Sequence, residues 1–246
     1  MSSALKRELA ALAERYDLPD GAAGRFRTVL DALERDPHAP TPVREPHEAL
    51  RVHLADSLAG LELEELRTAD RIADIGAGAG FPGLALAIAL PATHVTLVES
   101  NARKSAFIAA TAEAAGLANV DVAAERAEEW DAGFGRCKIV TARALAPLGV
   151  LAEYAAPLLT EGGALVAWKG RRDADEEHIA AAAADQLGLA LEEVRSVRPF
   201  DGADHRHLHV LRKVAPTPSR FPRRAGMATK RPLGAGNQPP SDRTRR

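Results

Sequence analysis

The stretch RIADIGAGAGFPG, Arg71 to Gly83, packs four glycines into eight residues, directly behind a short apolar run that carries one acid, Asp74. No other part of the chain is so dense in residues without a side chain. A short apolar run that stops at glycines reads as a buried strand, and the apolar residues after them read as the helix it turns into. Glycine at such a junction permits a tight turn and lets a ligand lie against bare main chain.

The same rhythm continues outward. Strands are expected over 71–75, 94–99, 120–124, 138–142, 163–168, 192–198 and 206–213, with helices near 80–90, 101–115, 147–159 and 173–187. Apolar strands alternating with helices imply right-handed crossovers and a parallel sheet, an α/β fold. The last two strands are joined by FDGAD, too short for a crossover helix, so they should pair antiparallel. Upstream, 4–16 and 24–35 have helical spacing, DPHAPTPVREP with its four prolines is a loop, and HEALRVHLADSLAGLELEEL reads as a helix broken near Gly60. The expected organisation is a helical cap over 1–66, a core over 67–214 and a tail over 215–246.

Composition agrees with one α/β domain plus extensions, at 246 residues and 46% hydrophobic content. No apolar run is long enough to span a bilayer, and MSSALKRELAALAERY reads as a soluble helix and not as a secretion signal. The single cysteine, Cys137, allows no internal disulfide and suits a small core position, so a reducing cytoplasm is the expected location. The net charge of −2 hides an asymmetry: from Ala215 onward eight Arg and Lys face Asp242 alone, +7 over 32 residues, leaving −9 on the other 214. Such a basic tail, rich in proline and glycine, is expected to be flexible, and it either solubilises the chain or touches nucleic acid.

Gly76, Gly78 and Gly80 fall where the first strand meets its helix, at the crevice that opens at the carboxyl ends of a doubly wound sheet. Glu99 ends the second strand, where a carboxylate can accept both hydroxyls of a ribose. A dinucleotide motif G-x-G-x-x-G would need glycine at 81, where this chain has Phe81. Asp74 disfavours a pyrophosphate nearby and favours a cationic ligand that bears an amino acid, which fits S-adenosylmethionine. A dinucleotide and a purely structural glycine turn are the alternatives.

Arg143 and Lys169 end the fourth and fifth strands, where cations can neutralise phosphates or pair with guanine acceptors, or simply sit on the surface. His53 and Asp56 share a helix face next to Ser57, as a catalytic pair or, more simply, a packing pair. His205, His207 and His209 share one strand face, but no acid or cysteine complements them at ligand spacing, so no metal is expected.

RVHLADSL, ADIGAGAGFPGLALAIALP, TLVESNARKSAFI, AERAEE, VTARALAPL, WKG, RHLHVL and FPRRAGMATKRPL follow one another in the order found in the bacterial 16S rRNA guanine-N7 methyltransferase G family, also called glucose-inhibited division protein B. The chain resembles that family from about residue 44 to 234. The resemblance implies a Rossmann-like class I methyltransferase: a seven-stranded, mostly parallel sheet with an antiparallel strand and an N-terminal helical cap. It implies S-adenosylmethionine as donor, held by Gly76, Gly78, Phe81, Glu99, Ala127, Glu128 and Arg143, to which the acid of the first strand adds Asp74. It also implies 16S rRNA, free or in an assembling small subunit, as substrate; a monomer with no membrane partner is expected. Arg143 and Lys169 would position the substrate, and His53, Asp56, Ser57, Arg126, Lys169, Arg206, His207, Arg223 and Arg224 are candidates to meet the RNA. N7 of guanine has a free lone pair and loses no proton on methylation, so no obligatory base is expected. The tail would act on RNA by releasing counterions and leave donor binding alone. This chain departs from the family at APTPVREP, where N-L-T is usual. A small-molecule or protein methyltransferase, or an RNA-binding module without catalysis, are the rival readings.

Overall fold

Seven strands form one sheet in the order β3-β2-β1-β4-β5-β7-β6. They are β1 (Arg71–Ile75), β2 (His94–Val98), β3 (Val120–Ala123), β4 (Cys137–Arg143), β5 (Leu159–Lys169), β6 (Leu189–Val197) and β7 (Arg206–Lys213). The structure is a computed structural model and describes residues 2–234. The strands from β3 to β5 pair in parallel, while β7 runs antiparallel to both β5 and β6. The short connection after β6 therefore does what its length demands. The order reverses at β1, so the crevice opens where Gly76 ends that strand.

Among the described residues ten α-helical segments surround the sheet: α1 (Ser3–Arg15), α2 (Ala22–Arg35), α3 (Pro46–Ala49), α4 (Asp56–Leu58), α5 (Glu64–Arg67), α6 (Gly83–Ala89), α7 (Ala102–Ala114), α8 (Leu148–Ala155), α9 (Ala174–Leu187) and α10 (Met227–Lys230). One face is covered by α1, α2, the helical run 46–67 and α6, whose Leu9, Phe26, Leu30, Leu58 and Leu84 share a cluster with Ile72 and Val95 of the sheet. The other face is covered by α8 and α9, whose Leu148, Leu151, Ala180 and Leu187 pack on Ala73, Val140 and Leu165. Central strands covered on both faces are apolar throughout, which is why β1 reads as a continuous run and not as an alternation.

Local details depart from the expected boundaries. The loop helix starts at Gly83 and not near 80, because residues 76–82 form the glycine turn, with Gly76, Gly78 and Gly80 at positive φ. The helix expected over 147–159 stops at Ala155, since β5 already begins at Leu159. Between α3 and α4 the chain makes a π-helical turn, Leu50–Ala55, with Ser57 Oγ donating to the His53 carbonyl at 2.5 Å. The run then tightens into a 3-10 turn at Ala59–Glu62. Gly60 is needed there because a Cβ would stand 2.5 Å from the Trp168 ring.

The expected flexible tail is the largest correction. Residues 215–233 lie against the α8–α9 face: Phe221 is buried in that cluster, Ala228 is buried, and Arg223 pairs with Glu153, which is 2% exposed. Charge and proline content describe the segment's average, whereas a few apolar anchors and one buried acid decide whether it docks. Arg243, Arg245 and Arg246 of the expected tail lie outside the described residues.

Candidate active site

A cleft of about 490 Å³ opens beside the glycine turn, and Gly76, Gly78, Phe81, Glu99, Arg126, Ala127, Glu128 and Arg143 line it. Gly78 has φ +60°, and a Cβ there would meet no atom nearer than the Gly76 carbonyl at 3.9 Å, so the space in front of it belongs to the cleft. Glu99 is built into the turn: its Oε2 accepts from the Gly78 N–H at 3.0 Å and its Oε1 from the Asn101 N–H at 2.8 Å. Each oxygen has a further lone pair, so the carboxylate can still accept two ribose hydroxyls. Bare backbone at Gly78 and a doubly anchored acceptor at Glu99 fit an adenosyl group. The strand-and-glycine spacing located these residues. Thr41, Lys104, Glu125, Leu145 and Tyr154 also line the cleft and carry no local signal of it.

Asp74 does not belong to this wall. It is 1% exposed and absent from the lining; Oδ2 accepts from the Gly83 N–H at 2.9 Å and Oδ1 from the Thr141 hydroxyl at 3.0 Å. The expected contact with a cationic ligand is thus corrected: Asp74 ties β1 and β4 to the first turn of α6. Gly83 is required beneath it, since a Cβ would come within 2.9 Å of Oδ2. Burial pushes the Asp74 carboxyl up to about 7, against the bonds from Gly83 and Thr141 that favour the anion. Because the folded state holds this proton more tightly than the unfolded chain, its contribution to stability is full below the ordinary carboxyl range. It is lost as pH rises toward about 7. Asp74→Asn, which can keep both bonds, should remove that slope. In urea titrations the wild-type stability relative to the variant should fall from pH ~4 to ~7 and then level off. A constant difference would show that Asp74 does not titrate there.

Arg143 forms the wall between this cleft and a second cavity of about 390 Å³, lined by Val52, His53, Asp56, Arg143, Ala144, Trp168, Lys169, Gly170 and Arg206. Its Nη1 donates to Asp56 Oδ2 at 2.9 Å and to the Val52 carbonyl at 3.0 Å, and its Nη2 lies 3.3 Å from His53 Nδ1. Asp56 also pairs with Arg206 at 3.2 Å, so one carboxylate, 6% exposed, holds two guanidinium groups. The Trp168 indole N–H donates to the Asp56 carbonyl at 2.8 Å. The π-helical turn places His53 and Asp56 together on this wall.

His53 is neutral here. Burial and the Arg143 charge lower its pKa to about 4. Since a guanidinium can only donate, Nδ1 accepts, and the proton sits on Nε2, facing the Thr41 hydroxyl at 3.1 Å. The Phe81 ring stacks on His53 with centroids 4.8 Å apart, and Arg143 lies over the same ring at 5.7 Å. Phe81 thereby joins the glycine turn to the 46–58 helix. Thr41 comes from APTPVREP, so the stretch that departs from the usual family sequence supplies part of the wall.

The remaining candidates divide. Lys169 reaches the second cavity but its Nζ is 2.6 Å from Glu176 Oε1. His207 Nδ1 is 2.8 Å from the Gly170 carbonyl, and His209 is buried against Glu177 at 3.0 Å, so two of the three histidines have separate partners. Ser57 is fully buried and cannot meet RNA. Arg223 is corrected likewise, because its guanidinium is spent on Glu153. Arg224 is exposed on the docked C-terminal segment.

The family model described as rRNA small subunit methyltransferase G matches residues 38–208. A protein named ribosomal RNA small subunit methyltransferase G from Rubrobacter xylanophilus is 43% identical over 199 residues, covering 78% of this chain and 76% of its own length. One of the same name from Chloroflexus aggregans is 41% identical over 214 residues, covering 85% and 89%. Among solved structures, a SAM-dependent O-methyltransferase from Thermotoga maritima superposes with a TM-score of 0.52 over 73% of each chain at 17% identity, a likeness of fold alone. With the match running from the proline-rich loop through the glycine turn to the first residues of β7, the chain belongs to the rRNA small subunit methyltransferase G family.

Proposed function

We propose that the protein transfers the methyl group of S-adenosylmethionine to N7 of a guanine in 16S ribosomal RNA. The observation that carries this reading is the shared Arg143 wall: a cleft suited to an adenosyl group stands beside a cavity bordered by Arg143, Lys169, Arg206 and the Trp168 indole. Guanine presents N7 and O6 as adjacent acceptors, which match cationic donors, and its ring matches an aromatic neighbour. S-adenosylmethionine supplies an electrophilic methyl group that N7 takes up without losing a proton. Gly76, Gly78, Glu99, Ala127 and Glu128 hold the donor, and Arg143, Lys169 and Arg206 orient the base. The protein acts as a monomer in this reading, and the rRNA substrate supports a cytoplasmic location. Among the described residues no helix is long and apolar enough to cross a membrane.

No side chain in the second cavity is disposed as a base. Both nitrogens of His53 face partners, and Asp56 is held between two arginines. The single-turnover rate at saturating donor and RNA should therefore be flat from about pH 6.5 to about 8.5, and Asp56→Asn should not introduce a slope, since a base typically contributes about 10²–10⁴-fold. The deciding experiment incubates the protein and labelled donor with 16S rRNA from cells lacking the enzyme and maps the modified atom. Label at guanine N7 supports the reading, and label on an exocyclic amine, or none on RNA, defeats it.

A further inference from the structure

The docked C-terminal segment makes contacts that neither the donor cleft nor the target cavity explains. Its inner side ends on two residues that line the donor cleft. The Gly226 N–H donates to Glu128 Oε1 at 2.9 Å, and the Thr229 hydroxyl meets the Tyr154 hydroxyl at 3.1 Å. Next to Tyr154 on α8, Glu153 takes both arms of the Arg223 guanidinium. Arg223 also donates to the Arg231 carbonyl at 2.9 Å, which closes 223–231 into a loop around that buried pair. Further along, Pro232 and Leu233 line a cavity of about 630 Å³ together with Leu145 and Lys169, on the target side. The segment thus runs from one wall of the donor cleft toward the cavity where the base would be held.

Its outer side is cationic. Arg220, Arg224, Lys230 and Arg231 are exposed, form no ion pair among the described residues, and have no acid among residues 215–233 to offset them. Such exposed cations on one segment suit a phosphate backbone, whose binding releases counterions.

We propose that residues 216–233 form a strap that couples RNA contact to donor binding, an inference that rests on the methyl-donor reading above. Held down, the strap fixes Glu128 through a backbone donor and Tyr154 through its hydroxyl, and so keeps two walls of the cleft in place. Phosphates along the outer cations favour the held-down state. Because coupling between sites is reciprocal, donor tightens the strap and RNA tightens the donor. Gly226 and Thr229 act through Glu128 and Tyr154, which makes them positioning residues.

The test uses the full chain, S-adenosylmethionine and a 16S rRNA transcript. Hydrogen exchange on the wild type should show the amides of Gly226, Lys230 and Arg231 slowed at least fivefold by donor alone. Arg223→Gln should weaken calorimetric donor affinity about tenfold, and Thr229→Val by a smaller factor. Arg224→Glu with Lys230→Glu should leave donor affinity without RNA unchanged. That pair should abolish the tightening of donor by RNA seen in the wild type at low salt. If Arg223→Gln does not fold, the exchange measurement on the wild type decides. A wild type that binds donor with strap exchange unmoved overturns the coupling and leaves the methyl-donor reading standing. A wild type that binds no donor overturns both.

Discussion

Gly78→Val is expected to abolish S-adenosylmethionine binding while the fold remains. The residue sits at φ +60°, and the nearest atom to an added Cβ is the Gly76 carbonyl oxygen at 3.9 Å. A branched side chain therefore starts free of close protein contact and extends into the cleft. Left-handed backbone without glycine costs roughly 1–2 kcal/mol, a fraction of ordinary domain stability. Gly116 provides the control: its φ is +64° and a Cβ there meets nothing within 4 Å, but it does not line the cleft. Gly116→Val should carry a similar strain and bind donor normally. Calorimetry should detect no donor heat for Gly78→Val, with circular dichroism as in the Gly116 variant. Retained affinity in Gly78→Val would remove the donor from this turn.

The second large effect is at Arg143. Its guanidinium holds Asp56, the Val52 carbonyl and His53 Nδ1 at once while lying over Phe81. A lysine ammonium in its place can reach part of that set from a single point and lacks the planar fork. Arg143→Lys should lower the single-turnover rate at saturating donor and RNA about 10²-fold, the scale of a misplacement of about 1 Å. Arg143→Ala should lose more, and thermal stability with it. Asp56 would be left with Arg206 alone, and breaking a buried pair by removing one partner costs about 3–5 kcal/mol at full burial. Donor affinity should change less than the rate in the Lys variant, since Gly78 and Glu99 stay in place. A rate within fivefold of the wild type would show that Arg143 is wall material and does not orient the base.

Asp74 illustrates where a local reading misleads. An acid one residue from a glycine turn suggests a ligand for positive charge, yet a strand residue's face is set by the strand's alternation and by what covers it. Here that face is α6, and the carboxylate is consumed by Gly83 and Thr141. Ser57 and Arg223 were misplaced for the same reason: residue type proposes a partner, but burial chooses it.

The α/β fold and the antiparallel end of the sheet are legible in the amino-acid sequence, and so is the cleft that the glycine turn and Glu99 border. These follow from local rules: apolar runs set strands, loop length sets direction, and glycine marks backbone that a ligand must approach. Packing of the helices on the sheet is what joins Asp56 to Arg143, 87 positions away, and to Arg206, and what brings Thr41 to the His53 wall. Tertiary packing alone seats residues 215–233 on the core, through Phe221 and the Arg223–Glu153 pair. Such contacts join long side chains from elements distant in sequence, and their geometry exists only once helices have docked on the sheet. No periodicity or motif along the chain encodes it.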